Sequence, residues 1–208
     1  NLRVIAERAA RGELPVDIRA VVSDQPQAGG LAWSAERGIR TAVLRPGDYP
    51  DRAAYGHALA ELVDSFRPAL VVLAGFMRIL DATFVDRFAG RLLNVHPSLL
   101  PRHRGLHTHR RALQAGEPVH GASVHFVTQE LDGGPVVLQA RVPVLADDDE
   151  DRLAARVLAE EHRIYPLCIE WFARGRLQHR DGAAWLDGRR LEAPVIFDTR
   201  SGHVTSPA

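Results

Sequence analysis

Apolar residues recur along the chain with two periods, and turn residues stand where one period gives way to the other. Leu2 to Arg11, ended by Gly12, has helical spacing, and Ile18 to Val22 is a short apolar run bounded by Ser23, Asp24 and Pro26. The succession repeats as a helix over Trp33 to Arg37, a strand over Thr41 to Leu44 and a helix over Arg52 to Phe66. Leu70 to Ala74 is apolar throughout, the pattern of a strand covered on both faces. A short helix over Thr83 to Phe88 and a buried strand over Arg91 to Val95 come next, and the strand breaks at His96 and Pro97.

Beyond that point, Ser123 to Thr128 and Val136 to Val142 favour strands, joined through Asp132, Gly133, Gly134 and Pro135. Asp149 to Arg174 carries the longest amphipathic pattern, with acids at its start and Gly175 after its end, which suits the helix dipole and the C-terminal cap. A small hairpin succeeds it, with arms around Leu177 to His179 and Trp185 to Leu186, and the tail from Pro194 has little periodicity. Strands alternating with helices, joined by right-handed crossovers, predict an α/β fold with a doubly wound, mostly parallel, Rossmann-like sheet. One domain over residues 1–208 is expected, with the hairpin and tail, about 176–208, peripheral to it. Such sheets bind ligands beyond the carboxyl ends of their strands, which directs attention to the segments just past Ala74 and Val95.

The second of these strand ends reads Asn94-Val95-His96-Pro97. Side chains of an extended segment repeat every second residue, so Asn94 and His96 address one volume. Pro97 holds His96 extended and ends the strand at the rim of the sheet. Asp132, on a glycine-flanked turn, can stabilise a cationic His96 or take part in proton transfer. An amide, an imidazole and a carboxylate together suit acyl transfer, in which an amine attacks a carbonyl carbon and negative charge grows on oxygen. Taken alone, a histidine after a strand also serves structure, and Asp-Gly-Gly-Pro is also simply a turn; spacing leaves both readings open.

Composition narrows the classes. Acids and bases balance at 26 each, so nothing predicts binding to nucleic acid or to an anionic membrane, and small-molecule partners are expected. No apolar run is long enough to cross a bilayer and no signal-peptide pattern opens the chain, which together with a single cysteine, Cys168, predicts a cytoplasmic protein. No lysine occurs, which excludes Schiff-base chemistry and a P-loop lysine. Six of the ten histidines lie between His96 and His125, but without a known zinc spacing or a cysteine pair, so no metal is expected.

The runs LVVLAGFMRIL (Leu70 to Leu80), GRLLNVHPSLLP (Gly90 to Pro101), GLHTHRRAL (Gly105 to Leu113) and HGASVHFVTQELDGGPVVLQ (His120 to Gln139) resemble the phosphoribosylglycinamide formyltransferases. EHRIYPL, from Glu161 to Leu167, and the AAWLDGRRL hairpin extend the resemblance over nearly the whole chain. It implies the formyltransferase fold and transfer of a formyl group from 10-formyltetrahydrofolate to the amine of glycinamide ribonucleotide, a step in purine synthesis. It implies Asn94, His96 and Asp132 as catalytic groups, and Met77, Arg78, Ile79, Leu80, Val127 and Leu131 around the folate. Asn1, Arg52 and Glu161 would meet the ribonucleotide. The resemblance also implies a first strand and a glycine-rich phosphate loop ahead of Asn1, absent from the present sequence and expected to be supplied upstream. Methionyl-tRNA formyltransferases, formyl-folate hydrolases and sugar-nucleotide formyltransferases share the chemistry but usually carry an extra domain, for which this chain has no room. A neutral surface also argues against tRNA. A non-enzymatic nucleotide-binding regulator on this fold would be expected to lack one of the three polar groups, and all three are present.

Overall fold

The computed structural model describes residues 1–205. The first part of the chain runs α1 (Leu2–Ala10), β1 (Val21–Ser23), α2 (Gly29–Ala35), β2 (Thr41–Val43), α3 (Arg52–Ser65), β3 (Val71–Leu73), α4 (Ala82–Arg87) and β4 (Leu92–His96). The second runs α5 (Thr108–Gln114), β5 (Val119–Phe126), β6 (Val136–Pro143), α6 (Glu150–Ala173), β7 (Leu177–Arg180), β8 (Ala183–Leu186), β9 (Arg189–Arg190), β10 (Val195–Phe197) and β11 (Val204–Thr205).

The helix starts derive from local chemistry. Asp51, Asp81 and Asp149 each accept a main-chain N–H of the first turn, from Ala54, Thr83 and Arg152, so α3, α4 and α6 begin where an aspartate can cap them. The main sheet has the order β11-β10-β6-β5-β4-β3. Its β3–β4 and β6–β10 pairs are parallel, whereas β5 is antiparallel to both its neighbours. Among the described residues, parallel β1 and β2 form a separate pair. α6 packs against β5 and β6, and its fully buried Leu153, Val157, Ile164 and Tyr165 join Val124, Leu138 and Ala140 in the larger core. Tyr55, Leu59, Phe84, Phe88 and Leu92 make a second core where α3 meets α4.

The structure differs from the expected outline in one place. The tail, expected to be peripheral, contributes β10 to the main sheet, and Val195 is fully buried beside Leu138. Three residues are too few for a period to show, so long-range pairing decides the strand. The hairpin, by contrast, stays outside the main sheet as β7-β8-β9.

Candidate active site

β4 ends in Asn94 and His96, side by side on one face, with Asn94 paired across to His125 and His96 to Ser123 on β5. The Asn94 Nδ2 lies 3.3 Å from His125 Nε2, and His125 Nδ1 lies 2.8 Å from the Phe126 carbonyl. A carbonyl only accepts, so Nδ1 of His125 carries the proton and Nε2 accepts from Asn94. Burial lowers the His125 pKa, which keeps this neutral tautomer in place. The Asn94 amide is thereby fixed, with one N–H engaged and a second left to point elsewhere.

His96 is buried, with Nε2 3.0 Å from the His103 carbonyl and Nδ1 3.5 Å from Asp132 Oδ2. By the same argument the Nε2 proton is fixed, and a second proton on Nδ1 would face a carboxylate. Asp132 Oδ2 also accepts the Gly105 N–H at 2.8 Å, and Oδ1 lies 3.8 Å from His125 Nε2. Asp132 sits at φ 47° on a turn that approaches β5 closely, for a Cβ on Gly134 would stand 1.9 Å from the Phe126 oxygen. The three expected catalytic groups therefore meet in one place, drawn from a strand end and a distant turn.

The segment after His96 is held by a buried polar network. Ser98 Oγ donates to the Arg102 carbonyl at 2.6 Å, and Ser123 Oγ donates to the Ser98 carbonyl at 2.7 Å. Ser123 Oγ accepts from the Leu100 N–H, and Gln139 Nε2 lies 2.8 Å from the Leu100 carbonyl and 2.9 Å from Ser123 Oγ. His125, Ser123 and Gln139 support the site without standing out in the sequence. The available signal is polar residues inside otherwise apolar strands, since a polar group buried in a sheet needs a partner.

Met77, Ile79 and Leu131 are exposed apolar residues, while Val127 packs on the second core. Met77, Arg78, Ile79 and Leu80 line an open cavity of about 540 Å³ whose other walls include Tyr49, Tyr55 and Phe76. Arg52, expected beside the nucleotide, lines this same wall, where its Nη2 donates to the Leu80 carbonyl at 3.0 Å. It begins α3, and α3 packs on α4 just past Leu80, which the sequence alone does not reveal. Arg78 is tied to Asp24 at 2.6 Å. Asn1 and Glu161 do come together, the Asn1 Nδ2 donating to Glu161 Oε2 at 2.7 Å. Burial raises the Glu161 pKa, partly offset by that hydrogen bond.

Histidines also gather behind the site. His120 is buried with neither ring nitrogen partnered, its ring 5.2 Å from that of His109 and 6.0 Å from that of His103, which is bonded to Glu117 at 3.0 Å. Burial pulls the His120 pKa from 6.5 to about 4. Among the described residues no three His, Cys, Asp or Glu side chains are grouped so as to hold a metal ion. Cys168 is buried and its thiol pKa is pushed well above the usual value by burial, as a core thiol requires.

Comparison with known proteins bears on the use of this geometry. The family profile described as Formyl transferase matches residues 1–169. The phosphoribosylglycinamide formyltransferase of Escherichia coli is 53% identical over 191 residues, 92% of this chain and 90% of that protein. The solved phosphoribosylglycinamide formyltransferase from Coxiella burnetii superposes with a TM-score of 0.86 at 43% identity, covering 91% of this chain and 90% of that one. Glycinamide ribonucleotide transformylase 1 from Symbiobacterium toebii also gives a TM-score of 0.86, at 42% identity over 89% of this chain and 87% of that one. A matching sequence, fold and convergence of Asn94, His96 and Asp132 agree, and the chain belongs to the phosphoribosylglycinamide formyltransferases of the formyl transferase family.

Proposed function

We propose that the chain transfers the formyl group of 10-formyltetrahydrofolate to the amine of glycinamide ribonucleotide, yielding formylglycinamide ribonucleotide and tetrahydrofolate in de novo purine biosynthesis. The observation that carries the mechanism is the meeting of Asn94, His96 and Asp132 at the carboxyl end of β4. The amine nitrogen attacks the formyl carbon, and the carbonyl electrons move onto oxygen. The second N–H of Asn94 donates to that oxyanion, and the Nε2–H of His96 does so by exchanging the His103 carbonyl for the substrate oxygen. A protonated His96 presents Nδ1–H to Asp132, whose negative charge stabilises the imidazolium. The proton that the amine sheds passes through water by way of Asp132 to N10 of the folate as the carbon–nitrogen bond breaks, so Asp132 regains its charge. No covalent enzyme intermediate is needed, and no metal enters the scheme.

Binding divides between the two faces of the site. Met77, Ile79 and Leu131 hold apolar surface in water that a pterin ring would cover, beside Val127 and the main chain of Arg78 and Leu80. Arg52 serves this side by holding the Leu80 carbonyl. Asn1 and Glu161 serve the ribonucleotide, with Glu161 placed to accept from its amine or hydroxyl groups. The test is a spectrophotometric assay of formyl-folate consumption with and without glycinamide ribonucleotide. Consumption that requires the ribonucleotide is expected; equal consumption in its absence would make the protein a hydrolase.

A further inference from the structure

Tyr165 has no place in the formyl-transfer scheme, yet its hydroxyl is set between two strands. The side chain is fully buried, and its hydroxyl lies 2.8 Å from the Leu73 carbonyl and 2.9 Å from the Leu93 carbonyl. Those carbonyls belong to β3 and β4, whose parallel register sets Leu73 opposite Asn94. One proton shared by two acceptors holds both within hydrogen-bond reach, so the phenol fixes the spacing of β3 and β4 at the residue before Asn94. Burial raises the Tyr165 pKa well above its usual value, so the group stays neutral and donates. Four residues earlier on the same helix, and therefore on the same face, stands Glu161, which holds the Asn1 amide.

We propose that Tyr165 is a positioning residue for formyl transfer, using α6 as a rigid spacer that fixes Asn94 relative to Glu161. The inference rests on the reading of Asn94 as oxyanion donor and Glu161 as a ribonucleotide ligand. Its physical content is that both reactants are held from one element: Glu161 places the amine, and the hydroxyl at Leu93 places the donor that meets the oxyanion. A helix of this length, packed on β5 and β6, transmits the separation with little give. Transfer between two bound substrates is sensitive to such placement, because reacting atoms must sit within a few tenths of an ångström of the attack geometry.

The test is a double-mutant cycle of Tyr165→Phe and Asn94→Ala. Tyr165→Phe keeps the ring and deletes only the hydroxyl, and is expected to lower kcat roughly tenfold with both KM values changed less than about twofold. In the Asn94→Ala background the same change should cost less than about twofold, because the group it positions is gone. An equal loss in both backgrounds, or none in the first, would overturn the positioning role and leave the oxyanion reading intact. Normal turnover by Asn94→Ala alone would sink that reading and the positioning role with it. A second measurement needs no variant: the Tyr165 hydroxyl proton should give a slowly exchanging NMR signal in the intact protein, and rapid exchange there would refute the shared hydrogen bond.

Discussion

β1 and β3, on the one hand, and β4 and β5, on the other, are similarly apolar and differently surrounded. In β1, Val21, Val22 and Ser23 are all half-buried, as are Val71, Val72 and Leu73 of β3. In β4 and β5, Leu92, Leu93, Val124 and Phe126 are buried almost completely. Among the described residues β4 and β5 have a strand on each side, whereas β1 and β3 each pair with one. An apolar run of β-branched residues therefore states that a strand wants covering, and only the sheet order states whether it is covered. The chemistry sits on the covered side: Asn94 and His96 end β4, and Asp132 leaves β5. Away from those three groups, Asn1 at the start of α1 meets Glu161 of α6.

That contrast is sharpest in catalysis. His96→Ala and Asp132→Asn are each expected to reduce turnover far more than folate affinity, since they act on charge present only in the transition state. Asn94→Ala should lose about two to three powers of ten in kcat, read by steady-state kinetics beside folate titration. Substitutions in β1, at Val22 for instance, should leave kcat nearly untouched.

A smaller effect separates the halves by pH. His120, on β5, has its pKa lowered from 6.5 to about 4 by burial, with His109 and His103 nearby opposing protonation and Glu117 favouring it. Between those two values the unfolded chain binds the extra proton and the folded one does not, so stability is complete above about 6.5 and is lost as pH falls toward about 4. Thermal unfolding between these limits should show an acid slope that His120→Gln flattens. The smallest expected effect is none: dialysis against a strong chelator should leave activity unchanged on both sides of the sheet. Loss of activity, restored by zinc, would turn the His103, His109 and His120 group into a ligand set.

How much of this the sequence carries depends on range. The caps of α3, α4 and α6 are legible because each is an aspartate three or fewer residues from its partner. The pairing of Asn94 with His96 is legible because two-residue spacing is local. Asp132 is reached by chemistry, and its contact with His96 at 3.5 Å by the resemblance. The approach of His125 to Asn94 is not legible, for it depends on antiparallel register between strands 31 residues apart. A register shift between Val124 and His125 compounds this, since it breaks the alternation that would otherwise reveal which way His125 faces. The placement of Arg52 and the recruitment of β10 escape the sequence for the same reason, both being decided by elements distant along the chain.

The position of α6 along the chain has a consequence for synthesis. A ribosome delivers β3, β4 and the Asp132 turn well before Tyr165 and Glu161, which reach back 92 and 160 residues to their partners. Strands and turns can assemble as they emerge, but on the roles proposed above for Tyr165 and Glu161 the spacing of the two substrate sites is set only when this late helix docks. On the same reading, nascent chains hold Asn94, His96 and Asp132 for some time without the helix that relates them to Glu161.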